Sequence, residues 1–173
     1  MNTEQIVEAI NWVTRDTPIM FDVTVTTPPK DLIRQRAQDN FNRATEPTLT
    51  KQAKIEAHAF NDHNLITALS NDYGYENWVS KAIEYYASKD DRIIFISVSG
   101  ESKNLINGLE YAKNNNLKIS SMTGSNSGNT IKKNSECSLW VNSKAYNIVE
   151  SIHTIWITLI IDLFVGHPEY SVN

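Results

Sequence analysis

The stretch RIIFISVS, residues 92–99, constrains the fold of this chain more than any other. It is an almost unbroken apolar run rich in β-branched residues. A strand with one wet face alternates apolar and polar side chains, whereas a continuous run fits a strand covered on both faces. The segments that follow keep a regular alternation. SKNLINGLEYAKNN (102–115) reads as an amphipathic helix with Leu105, Ile106, Leu109 and Ala112 facing inward. LKISSMTG (117–124) reads as a strand, NTIKKN (129–134) as a short helix and CSLWV (137–141) as another strand. Strands alternating with helices imply a parallel sheet with helices on both faces.

The first half is less regular. Residues 4–14 read as a short helix, and PIMFDVTVTTPPK (18–30) as a strand in which Ile19, Phe21, Val23 and Val25 alternate. Pro28 and Pro29 end it, because they remove backbone donors. A polar helix over 31–42 and a loop over 43–55 follow. AHAF (57–60) is a short strand, HNLITALSN (63–71) a helix, and YENWVSKAIEYYA (75–87) a helix with Trp78, Val79, Ile83 and Tyr86 at helical spacing. The expected fold is α/β: a three-layer αβα sandwich around a doubly wound parallel sheet of about five strands, as one domain over residues 1–173.

The last helix, NIVESIHTIWITLIIDLF (147–164), is expected to face inward through Ile148, Ile152, Ile155, Trp156, Leu159 and Ile160. It is too apolar all round for a monomer surface, which points to burial in a large core or in an oligomer interface. Thr154, Thr158 and Asp162 interrupt it, so the expectation is a helix short of a membrane span. The start, MNTEQIVEAINW, lacks a charged stretch followed by an apolar core and reads as no signal peptide. The net charge of -4 argues against nucleic acid as a partner, since phosphate backbones demand concentrated positive charge. Cys137, the single cysteine, excludes an internal disulfide and a cysteine-cluster metal site, and suits the cytoplasm.

In a parallel α/β sheet, ligands bind beyond the C-terminal ends of the strands. SVSGESKN (97–104) lies at such an end. Ser97, Ser99 and Ser102 are placed to aim hydroxyls at a phosphate, Gly100 lets the turn tighten, and the next helix presents free N–H groups. The alternative is that Ser102 is simply an N-cap. Glu101 works slightly against an anion. TGSNSGN (123–129) has similar chemistry, or is an ordinary glycine-rich turn. Neither loop matches the P-loop or the dinucleotide fingerprint.

SVSGESKN, the downstream TG, ALSNDYGYE (68–76) and VESIH (149–153) together resemble the SIS, or sugar isomerase, domain. Within it they look most like the sedoheptulose 7-phosphate isomerases, also called phosphoheptose isomerases. The resemblance runs from about residue 19 to residue 164. The family's N-terminal helix, which helps build its tetramer, is cut short here. The resemblance implies that Ser97, Ser99 and Ser102 hold a sugar phosphate and that Asn71 and Asp72 lie beside the substrate. Asp72 has a second reading, as a cap for the turn before the next helix. The family's glutamine on the last helix falls on Glu150.

The implied reaction moves a carbonyl between C1 and C2 of an open-chain sugar, and needs a base and an acid. The family's histidine for this task falls on Thr158, and its histidine and glutamate after the first strand fall on Arg36 and Asn40. Asp39 is the nearby carboxylate if the register shifts. Where the family has a glycine-rich GNGGSA turn, this chain has TTPPKD (26–31), whose Lys30 offers a phosphate a point charge. Glu150 and His153, three apart on one helical face, read as an acid–base pair, as two metal ligands, or as a partly buried histidine held by a carboxylate at a subunit contact. No cofactor is expected. Zinc, which the resemblance allows, finds no clear ligand set among scattered histidines, of which His58 and His63 read as structural or surface residues.

The expectation is therefore a phosphoheptose-isomerase-like protein that binds a sugar phosphate without standard isomerase catalysis. The alternatives are an active isomerase of sedoheptulose 7-phosphate with a displaced catalytic set (Glu150, His153, Asp72), and a purely structural partner subunit. A homo-oligomer is expected, or a hetero-oligomer with an intact SIS relative, with neither nucleic acid nor membrane as partner.

Overall fold

The computed structural model describes residues 19–23 and 56–166. The expected helices over 4–14 and 31–42, Val25, the TTPPKD loop, Arg36, Asp39 and Asn40 lie outside them. The elements run β1 (Ile19–Val23), β2 (Ala57–Ala59), α1 (His63–Tyr73), α2 (Trp78–Tyr86), β3 (Arg92–Ser97), α3 (Lys103–Asn114), β4 (Lys118–Thr123), α4 (Thr130–Lys133), β5 (Cys137–Trp140) and α5 (Tyr146–Val165). The strands form one sheet in the order β2-β1-β3-β4-β5, every pairing parallel. Ile96 of β3 pairs with Val23 of β1, and Ser97 pairs with Thr123 of β4.

The buried run of β3 behaves as its composition implies. All six of its residues are buried. Ile93 and Phe95 face a core built with Trp78, Val79, Ile83, Leu105, Leu109 and Ile131, so α2, α3 and α4 cover that side. Ile94 and Ile96 face the opposite core with Met122, Leu139, Ile157 and Ile161, where α5 lies. The result is the expected three-layer sandwich. In this strand order the chain reverses direction across the sheet between β1 and β3. Crevices at such switch points, outside the strands' carboxyl ends, are where open α/β sheets receive ligands.

Two sequence expectations change here. The helix expected from Tyr75 begins at Trp78, because Asn77 takes the N-cap position. The Asn77 amide donates to the Tyr73 carbonyl (2.9 Å), which stops α1. The turn between the helices is tied to α3, since the Asn107 amide donates to the Glu76 carbonyl and to Asn77 Oδ1, both at 2.9 Å.

The second change concerns α5. Its seated face is Val149, His153, Ile157 and Ile161, at a strict four-residue spacing. Ile148, Ile155 and Leu159, expected inside, are exposed, together with Tyr146 and Leu163. An apolar pattern all round a helix cannot select a face. The selection comes from fitted contacts: Val149 occupies the space above Gly124, where a Cβ would lie 2.6 Å from Val149 Cγ1. The expected shortfall as a membrane span also does not hold, since α5 is long and apolar enough to cross a bilayer by length and composition. Ile157 and Ile161 nonetheless pack on the sheet, as a core helix does.

Candidate functional site at the carboxyl ends of β3 and β4

The serine loop leaves β3 at the switch point. Ser97 is buried, and its Oγ accepts the Gly100 N–H at 3.0 Å. The Ser99 Oγ accepts the Glu101 N–H at 3.2 Å. A hydroxyl has one donor and two acceptor positions. Both serines are therefore oriented through a lone pair and keep their protons for a neighbour. Ser102 occupies the N-cap position of α3 with φ -66° and ψ 129°, but its hydroxyl does not cap the helix. The simple capping alternative is thus not what the loop adopts.

Gly100 sits at φ +66°, in the left-handed region, and a Cβ there would lie 2.1 Å from Asn129 Oδ1. Only glycine meets both demands. Asn129 is fully buried. Its amide donates to Thr123 Oγ1 (3.1 Å) and to the Asn126 carbonyl (2.9 Å), while its Oδ1 accepts the Lys132 N–H (2.9 Å) as the cap of α4. The loop after β4 is therefore a fixed wall against the serine loop, more than a flexible glycine turn. Glu101 does not face an anion seat. Its two oxygens accept the Thr130 N–H (2.7 Å) and hydroxyl (2.8 Å).

The first turns of α5 close the same end of the sheet. The Gly124 N–H donates to the Val98 carbonyl at 3.0 Å, and Val149 lies over Gly124. One turn on, the His153 imidazole is only 2% exposed and stacks on Trp156, with centroids 5.7 Å apart. Burial pushes its pKa down to about 4, partly opposed by a hydrogen bond to the Thr123 backbone carbonyl. The ring is therefore neutral near pH 7, and its Nε2 has no hydrogen-bond partner among the described residues. Glu150 is half-buried beside Val149. Thr158 lies on the exposed side of α5, with its hydroxyl donated to the Thr154 carbonyl at 3.0 Å.

The structure thus brings Ser97, Ser99 and Ser102 together with the β4 end and with the part of α5 that carries Glu150 and His153. It does not join Asn71 and Asp72 to them by any hydrogen bond among the described residues. Those two occupy the exposed last turn of α1, with the Asn71 amide donating to Asp72 Oδ1 at 3.2 Å. Asp72 does not cap the following turn. His58 lies on Glu56 at 3.2 Å. Among the described residues no three His, Cys, Asp or Glu side chains gather as a metal site. The sequence reading missed Asn129, although an asparagine ahead of a helix is a cap signal. It also missed Asn104, buried in the first turn of α3 with its amide nitrogen unpartnered among the described residues, which no local pattern marks.

Comparison with known proteins agrees with this architecture. The SIS domain model matches residues 79–161. The phosphoheptose isomerase of Helicobacter pylori strain HPAG1 is 33% identical over 137 residues, covering 76% of this chain and 70% of that protein. A probable phosphoheptose isomerase of Thermoplasma volcanium is 38% identical over 95 residues, 55% of this chain, and the match spans about half (48%) of that relative's length. Among solved structures, a phosphoheptose isomerase from Francisella tularensis superposes with a TM-score of 0.75 at 20% identity, over 95% of this chain and 86% of that one, which speaks for the fold. On these grounds the chain belongs to the SIS domain family, alongside the phosphoheptose isomerases.

Proposed function

We propose that this protein binds a phosphorylated sugar in the crevice beyond β3 and does not perform the standard ketose–aldose isomerisation. The carrying observation is the serine loop: Ser97 and Ser99 are oriented by accepting the Gly100 and Glu101 N–H groups, so their protons remain for phosphate oxygens. The uncapped start of α3 adds backbone N–H donors on the same side.

Isomerisation needs a group that takes a proton from carbon and a group that returns one. The Thr158 hydroxyl is committed to a helix carbonyl and is no base near neutral pH. His153, buried with a pKa near 4, is a weak base. Glu150, half-buried on the same helix as His153, is the carboxylate on which the active alternative depends. The exposed apolar stripe of α5 (Ile148, Ile155, Leu159 and Leu163) favours a second SIS chain as partner, either another copy or an intact relative that supplies the missing proton-transfer groups. The cytoplasm is the compartment we assign.

Titration with sedoheptulose 7-phosphate, followed by amide NMR and by product formation in the same sample, tests the reading. Saturable shifts at Ser97–Ser102 at millimolar or lower ligand, without product, are expected. Undisturbed amides would refute phosphosugar binding. Turnover that Glu150→Gln abolishes would establish the active alternative instead.

A further inference from the structure

The serine loop and the loop after β4 are bolted together by a side chain that would, by charge alone, oppose an anion. Glu101 follows Gly100 directly, inside the loop to which the phosphate is assigned. Its Oε1 accepts the Thr130 N–H at 2.7 Å and its Oε2 accepts the Thr130 hydroxyl at 2.8 Å. Beside this pair the Ile131 N–H donates to the Gly100 carbonyl at 3.2 Å. Gly100 itself lies flat against the Asn129 side chain, with no room for a Cβ. Asn129 is in turn anchored to Thr123, the last residue of β4. A rigid path thus runs from the end of one strand, through the cap of α4, into the serine loop.

We propose that Glu101 is a positioning residue for the anion seat. It does not touch the ligand. It fixes the backbone of residues 99–101, which sets where the Ser97 and Ser99 hydroxyls and the loop N–H groups point. Both carboxylate oxygens accept short hydrogen bonds from Thr130, so the charge is satisfied away from the seat. Loops at binding sites are usually among the least stable parts of a fold, and one held before the ligand arrives loses less conformational freedom on binding. The inference rests on the reading that this loop receives a phosphosugar.

The sign of the effect separates this role from simple electrostatics. Removing a negative charge next to a phosphate dianion should strengthen binding if Coulomb repulsion dominates. The latch requires the opposite. With sedoheptulose 7-phosphate as probe, Glu101→Ala is expected to bind about tenfold more weakly than wild type, as loss of charge-assisted hydrogen bonds implies. Its Gly100–Ser102 amides should also exchange hydrogen faster. Glu101→Gln keeps an acceptor for the Thr130 N–H while dropping the charge, and is expected to stay within about threefold of wild type. Equal or tighter binding by a folded Glu101→Ala protein overturns the inference. If that variant does not fold, Thr130→Val, which deletes the hydroxyl half of the latch, carries the test: about threefold weaker binding supports it and unchanged binding overturns it. Absence of saturation in the wild type removes the phosphosugar reading itself, and is seen before any variant is made.

Discussion

Acidification should expose the energetic cost of burying His153. The imidazole is neutral in the fold because burial moves its pKa from 6.5 down to about 4. In the unfolded chain it regains the value near 6.5. Between these two values the unfolded state binds the extra proton, so stability falls as pH drops from about 6.5 towards 4. Above that window the group contributes no pH dependence, and below it both states are protonated. At pH 5 the loss works out at about 2 kcal/mol, approaching about 3 kcal/mol below pH 4. The assay is urea unfolding at pH 7 and pH 5 for wild type and for His153→Phe, so that the carboxylates common to both cancel. Phenylalanine keeps a ring against Trp156, and the Thr123 carbonyl retains the Val141 N–H at 2.9 Å. The wild type should lose about 2 kcal/mol more than the variant over this interval. Equal losses would mean that His153 is hydrated or paired in solution, and the burial argument would fail.

Two further expectations follow from the way α5 is seated. Gly124→Ala would put a methyl 2.6 Å from Val149 Cγ1 and 3.2 Å from the Val98 carbonyl, destabilising the protein by about 1–3 kcal/mol in chemical unfolding. Adding Val149→Ala should recover part of that loss, and a double variant no better than simple additivity would count against the socket. Charging the exposed stripe with Ile155→Lys and Leu159→Lys should halve the particle mass in light scattering, or reduce it further, without lowering the unfolding temperature. An unchanged mass would remove this face from any oligomer contact.

The strands and helices after residue 91 were readable because each local pattern agrees with the fold. RIIFIS is apolar on both sides since α2–α4 cover one face and α5 the other. The 102–115 segment has a dry stripe of which Leu105, Leu109 and Ala112 are buried, while Ile106, also expected inward, is half-buried. The face of α5 was not readable. Ile148 and Ile155 are as apolar as Ile157 and Ile161, so hydropathy carries no preference among them. The choice depends on a glycine twenty-five residues earlier and on the Thr123 carbonyl, both distant in sequence. The Glu101–Thr130 latch was hidden for the same reason: the partners are 29 positions apart, and alone a glutamate in a phosphate-type loop reads as a mild contradiction.

That contradiction bears on how the serine loop should be understood. Ser97 and Ser99 each accept a backbone N–H within the loop, a role that any turn in this place would reward, ligand or no ligand. What carries the binding reading is the proton that each hydroxyl keeps after accepting that N–H. Glu101 is more informative, since a carboxylate is harmless near an anion only if other donors occupy it. Thr130 supplies both of those donors. The same latch also stabilises the loop, and this is why the affinity of Glu101→Ala, rather than its melting temperature, decides between a seat for an anion and a turn kept for folding.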